Sequence, residues 1–142
     1  ARMRVFQWIL FNTLVGNSDC HLKNISFLVD GEGQRVAPFY DLLCTAVYHT
    51  RALADESAVW PNEPLAMPVM GAGRFGEVTY ASLIATGEKL GLAAKTAARE
   101  VARMMHGLGP AADRLIAQME AEYAAGGAMG EAEDATRGAE MR

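Results

Sequence analysis

The stretch GNSDCHLKNISFLV, residues 16–29, sets Asp19, His21 and Asn24 within six positions, between an apolar helical run and an apolar strand-like run. Aspartate and asparagine often serve turns by bonding their own backbone, and that accounts for any one of them. Three such groups with a fixed frame on either side point to chemistry instead. Asp19 followed five residues later by Asn24 sets one carboxylate and one amide oxygen on a single loop. Phosphoryl transfer asks for this pair, a carboxylate to receive a hydroxyl proton and oxygen ligands to hold magnesium on phosphates.

Working outward, Val5, Phe6, Ile9, Leu10 and Leu14 keep helical spacing, so residues 3–14 are predicted to form a largely buried helix ending at Gly16. On the other side, ISFLV and QRVA joined by DGEG give a β-hairpin signal. PFYDLL follows the hairpin directly, so the return strand is expected to carry Asp41 back beside the loop. Magnesium favours hard oxygen ligands and takes only one or two carboxylates from a protein, a role suited to Asp41.

Residues 51–76 contain Pro61, Pro64 and Pro68 without sustained periodicity and are predicted to be irregular. Helical patterns resume at Thr79 or Tyr80 to Leu90, Ala94 to His106, and Pro110 to about Tyr123, with Gly91, Gly107 and Gly109 as breaks. GGAMGEAEDATRGAEMR, residues 126–142, has little to bury and is expected to be a flexible tail.

GNSDCHLKNISFL followed by VAPFYDLL resembles the C-terminal lobe of HipA-like serine/threonine protein kinases, known as toxins of HipBA-type toxin–antitoxin modules. The resemblance is specific over residues 4–45 and looser over PLAMPVMGAGRFGEVTYASL and the closing helices. It implies an α+β fold, a mainly helical kinase-like C-lobe over residues 1–125 with one small hairpin beside the catalytic loop. It also implies that Asp19 is the catalytic aspartate, that Asn24 and Asp41 hold Mg2+, and that Tyr40 lines the ATP pocket. A protein serine or threonine hydroxyl would be the acceptor, and a HipB-like antitoxin a partner. His21 either positions Asp19 or touches the transferred phosphate, or else is structural. Lys23 is a candidate phosphate contact, set against an exposed loop lysine. Aminoglycoside-type kinases share the Asp, His and Asn spacing, so a small-molecule acceptor stays open. So do a non-catalytic partner-binding module and a metal-dependent hydrolase built on Asp19, His21 and Asp41.

GAGRFGEV, residues 71–78, imitates the glycine-rich loop that covers ATP phosphates. That loop must join two strands and lead to a lysine on the next strand. Here a helical pattern follows, and Lys89 lies near its end, so the glycines are read as loop punctuation. The phosphate-covering loop and its lysine are then expected from an N-terminal lobe outside this chain, and the chain alone is expected to be inactive.

Composition sets the remaining bounds. The net charge of −4 is uneven: residues 1–119 carry eleven acids and eleven bases, whereas residues 120–142 carry six and two. A neutral domain with no basic stripe offers no footprint for direct nucleic-acid binding. No apolar run approaches the ~20 residues needed to span a bilayer. Two cysteines, Cys20 and Cys44, are too few for a disulfide framework, and a reducing cytoplasmic setting is expected. Phe6, Trp8, Phe11, Met104 and Met105 read as core, and His49 and His106 lack the spacing of a zinc site. Cys20 is expected to be unreactive, since the neighbouring Asp19 raises a thiol pKa.

Overall fold

The computed structural model describes residues 1–31, 33–56 and 59–140, with Pro68 and residues 125–140 described by backbone alone. The elements run α1 (Arg2–Leu14), β1 (Phe27–Asp30), β2 (Gly33–Val36), β3 (Pro64–Val69), β4 (Ala72–Arg74), α2 (Tyr80–Lys89) and α3 (Ala94–Glu140). Ala1–Met105 form one compact unit and His106–Arg142 a second. The fold is thus α+β, as the sequence implied, but with two antiparallel hairpins among the described residues rather than one.

The first unit is built around α1. Phe6, Trp8, Ile9 and Leu10 are buried and pack with Leu83 of α2, Ala97 and Val101 of α3, and Val69 and Ala72 of the second hairpin. Arg2 and Arg4 stay exposed while Phe6, Trp8, Ile9 and Leu10 are buried, so α1 turns inward the apolar side that its helical spacing predicted. Phe6 and Trp8 are core, as expected, and Met104 packs partly against them, but Met105 is half exposed.

The hydroxyl of Thr79 accepts the Ser82 N–H, the Ser82 hydroxyl takes the Thr79 N–H in return, and this capping box starts α2. Gly91, at φ +81°, ends it, with the Leu92 N–H reaching the Gly87 carbonyl. Gly87 is itself the point of closest approach. A Cβ there would sit 2.6 Å from Ala97 Cβ and 3.0 Å from the Phe6 ring. Gly87→Ala should therefore destabilise the chain by about 1–3 kcal/mol in denaturant melts, overpacking outweighing a helix-propensity gain of about 1 kcal/mol.

β1 and β2 pair in the register Phe27↔Val36 to Asp30↔Gly33, as the Asp-Gly signal predicted, although Glu32 at the turn lies outside the described residues. The second hairpin corrects the expectation of an irregular crossing over residues 51–76. Gly71, at φ +78°, makes its turn, so of the GAGRFGEV glycines Gly71 and Gly73 belong to a hairpin turn and the strand that leaves it, and Gly76 to the 3-10 turn Phe75–Glu77. A second correction concerns the last helices. α3 is continuous through Gly107, Gly109 and Pro110. A proline removes one N–H donor, and the helix formers that follow it, from Ala111 and Ala112 onward, carry the helix past it. The expected tail, residues 126–142, falls where side chains, and at Met141 and Arg142 the whole residue, lie outside the described residues. No helix among the described residues is long and apolar enough to cross a membrane.

Candidate active site

α1 ends at Val15, and Gly16 (φ +71°) turns the chain sharply into the loop. The loop is then held from within by asparagines. Asn12, fully buried on the last turns of α1, donates its amide to the Trp8 carbonyl at 2.8 Å, which turns its Oδ1 outward as an acceptor. Asn17, 1% exposed, donates to that oxygen at 2.7 Å and to the Asp41 carbonyl at 3.2 Å, while its own Oδ1 accepts the Asp19 N–H at 3.0 Å. One buried amide therefore ties α1 to both aspartate-bearing segments. The sequence reading missed Asn12 and Asn17. Asn12 showed only as a polar residue near an apolar helix end, and Asn17 as one more polar residue of the loop.

The Asp19 side chain is 62% exposed, with His21 Nε2 3.7 Å from its Oδ1. A 3-10 turn at Leu22–Asn24 then buries Asn24 to 5% exposure. Asn24 Nδ2 donates to the Asp19 carbonyl at 3.3 Å and to Asp41 Oδ2 at 3.0 Å. The amide nitrogen being spent on these two, the oxygen end of Asn24 is the one suited to a cation. Asp41 adopts φ +57°, a left-handed conformation rare for a residue with a Cβ and concentrated at functional sites. The first hairpin does return Asp41 to the loop, so Asp19, Asn24 and Asp41 form one cluster.

The remaining predicted residues fall around that cluster. The Tyr40 hydroxyl donates to the Lys23 carbonyl at 2.7 Å and meets Ser26 Oγ at 3.3 Å, so it fastens the segment after β2, which carries Asp41, to the loop. Lys23 is exposed beside it. Arg4 of α1 lies over the Phe39 ring, 4.5 Å from its centre, anchoring the segment that carries Asp41.

Among the described residues no three His, Cys, Asp or Glu side chains converge to hold a metal by themselves. Asn24 and Asp41 offer two hard oxygens, which fits an ion that completes its shell with water and phosphate. Burial raises the Cys20 thiol pKa most, against an opposing backbone hydrogen bond, and the Asp19 charge anticipated from sequence adds a smaller push. Iodoacetamide should accordingly modify the exposed Cys44 more than about tenfold faster than Cys20 in a time course read by mass spectrometry.

Comparison with known proteins gives the family. The family described as HipA-like C-terminal domain matches residues 1–112. A protein named putative kinase Y4mE, from Sinorhizobium fredii, is 46% identical over 46 residues, covering 32% of this chain and 11% of its own length. The serine/threonine-protein kinase toxin HipA of Shewanella oneidensis is 44% identical over 48 residues, 34% of this chain and 11% of that protein. Among solved structures, the complex of Shewanella oneidensis HipA, HipB and operator DNA aligns with TM-score 0.52 and 29% identity, over 70% of this chain and 22% of that one. The chain thus spans about a tenth of the curated relatives it matches. With the family match running from α1 through the first turns of α3, this chain belongs to the HipA-like C-terminal domain family.

Proposed function

We propose that this chain is the catalytic lobe of a HipA-like serine/threonine protein kinase, the toxin of a toxin–antitoxin pair, and that it acts in the cytoplasm. The observation that carries the reading is the Asn24 amide, which links the Asp19 backbone to the Asp41 carboxylate. Asp19 is the base: an exposed carboxylate on a loop fixed from below can accept the proton of an incoming hydroxyl as it attacks the γ-phosphorus of ATP. Asn24 and Asp41 would hold Mg2+, which neutralises charge on the phosphate oxygens when bound. His21, close to Asp19, orients that carboxylate. Lys23, exposed on the same turn, would contact the phosphates, and Tyr40, bonded to the Lys23 carbonyl, would line the nucleotide pocket.

A phosphate-covering loop and its paired lysine are also required. Residues 71–78 run from a hairpin turn through β4 and a 3-10 turn toward α2, with no lysine-bearing strand after them, and are not read as that loop. The activity is therefore proposed for the protein in which this lobe is joined to an N-terminal one, with the isolated chain inactive. A HipB-like antitoxin is the proposed partner, since the similar structure is a complex with HipB. No direct nucleic-acid contact is proposed for this segment, whose first 119 residues are electrically balanced.

The test is an acceptor screen with the complete protein, ATP and Mg2+. Transfer to serine or threonine in a protein mixture supports the reading. Transfer to aminoglycosides alone would reassign the lobe to a small-molecule kinase.

A further inference from the structure

The stretch after Asp41, without periodicity in sequence, folds back onto the loop that carries Asp19. Thr45 Oγ1 accepts the Ser18 N–H at 2.7 Å and donates to the Gly16 carbonyl at 3.0 Å, and the Ala46 N–H donates to that same carbonyl. Thr45 has one hydroxyl proton, and it is committed to Gly16. The 2.8 Å contact between the two hydroxyls must then run from Ser18 to Thr45. Ser18 Oγ is left as an acceptor toward His49 Nε2 at 3.4 Å, which makes Nε2 the proton-bearing nitrogen of that contact.

The other side of the ring faces a carboxylate. His49 Nδ1 is buried, with Glu63 Oε2 3.0 Å away, at ion-pair distance but off the axis of an aligned hydrogen bond. The His49 carbonyl accepts the Trp60 N–H at 2.8 Å. Trp60 in turn covers Gly16, where a Cβ would come within 3.2 Å of the indole and 2.8 Å of Ala46 Cβ. His49, Glu63 and Trp60 lie on a segment remote in sequence from the loop, yet their contacts converge on Gly16 and Ser18, the residues leading into Asp19.

We propose that His49 is a positioning residue for Asp19, acting through Ser18. This rests on the reading of Asp19 as the base. Asn17 fixes the Asp19 backbone from the buried side, and the His49 to Ser18 contact fixes the preceding residue from the opposite segment. With both in place the carboxylate is presented at one distance from the incoming hydroxyl. Without the second, the loop keeps its fold but Asp19 samples positions too far from the proton. A Ser–His–Glu nucleophile is the rival interpretation of the same residues. The proton of Ser18 is spent on Thr45, however, and so is not directed to the ring.

The test compares His49→Leu with His49→Gln in the complete protein, because glutamine keeps an N–H donor for Ser18 and leucine does not. His49→Leu should lower kcat about ten- to a hundredfold, the scale of a displaced catalytic group, with KM for ATP within about twofold. His49→Gln should recover most of that loss. Equal losses in both variants, or a loss carried by KM, would overturn the proposal. So would labelling of Ser18 by a fluorophosphonate.

Asp19→Ala, run alongside, separates the two claims. If it keeps wild-type activity the kinase reading fails, and the clamp is then judged by hydrogen exchange at the Ser18 and Asp19 amides. Faster exchange in His49→Leu than in His49→Gln supports the clamp, and equal exchange overturns it.

Discussion

Asp19→Asn is expected to reduce phosphoryl transfer by the complete protein by about 10²–10⁴-fold, the usual contribution of a positioned general base, with little change in melting temperature or Mg-ATP affinity. The separation follows from where the side chain lies. It is mostly exposed, and its near neighbour is His21 at 3.7 Å, so its removal empties no packed space and breaks no buried bond. The loop is held by the Asp19 backbone, through its N–H to Asn17 and its carbonyl to Asn24, and both bonds survive the substitution. A steady-state assay with a paired thermal melt checks both halves. A drop in stability matching the drop in activity would mean that Asp19 serves the loop and not the reaction.

Asn17→Ala should do the reverse, costing stability first. Asn17 is buried and meets three backbone or side-chain groups, Asn12 Oδ1, the Asp41 carbonyl and the Asp19 N–H. Truncation leaves each without this partner. At about 1–3 kcal/mol for a buried group left unsatisfied, and with some relaxation, the expected loss is about 3 kcal/mol in denaturant melts. Asn17→Asp should be no milder. A carboxylate keeps the shape but cannot donate, and it would face the Asn12 oxygen and the Asp41 carbonyl as an acceptor in a buried site. Activity should fall in both variants, because Asp19 and Asp41 lose their common tie. If Asn17→Asp is as stable as the wild type, the buried amide is not the tie proposed.

The contrast between these residues shows what the sequence could disclose. Asp19, Asn24 and Asp41 were legible because local spacing and a hairpin signal together dictate that the chain returns. A two-residue connection between β1 and β2 leaves the return strand little choice of register. Asn12 and Asn17 were not legible, since an asparagine in a helix or a loop looks the same whether or not its amide bridges a third segment. His49 and Glu63 were hidden for a related reason. Their stretch has no period, and the contacts that give them meaning reach back to Ser18.

The second hairpin escaped because Pro64 and Pro68 mask the strand pattern. Proline weakens a central strand, but it is tolerated in an edge position, and β3 pairs on one side only. Pro110 misled in the opposite sense. Its glycine and proline neighbourhood reads as a helix boundary, whereas Ala111 and Ala112 just after it favour continuation.

The account stands on one reaction, and the most direct measurement is transfer of the γ-phosphoryl group of radiolabelled ATP to protein by the complete protein, with and without Mg2+, wild type beside Asp41→Ala. Magnesium-dependent labelling of serine or threonine, lost when Asp41 is removed, is the predicted result. Absence of transfer, together with absence of Mg-ATP binding by the wild type, would contradict it and leave the lobe a non-catalytic partner-binding module.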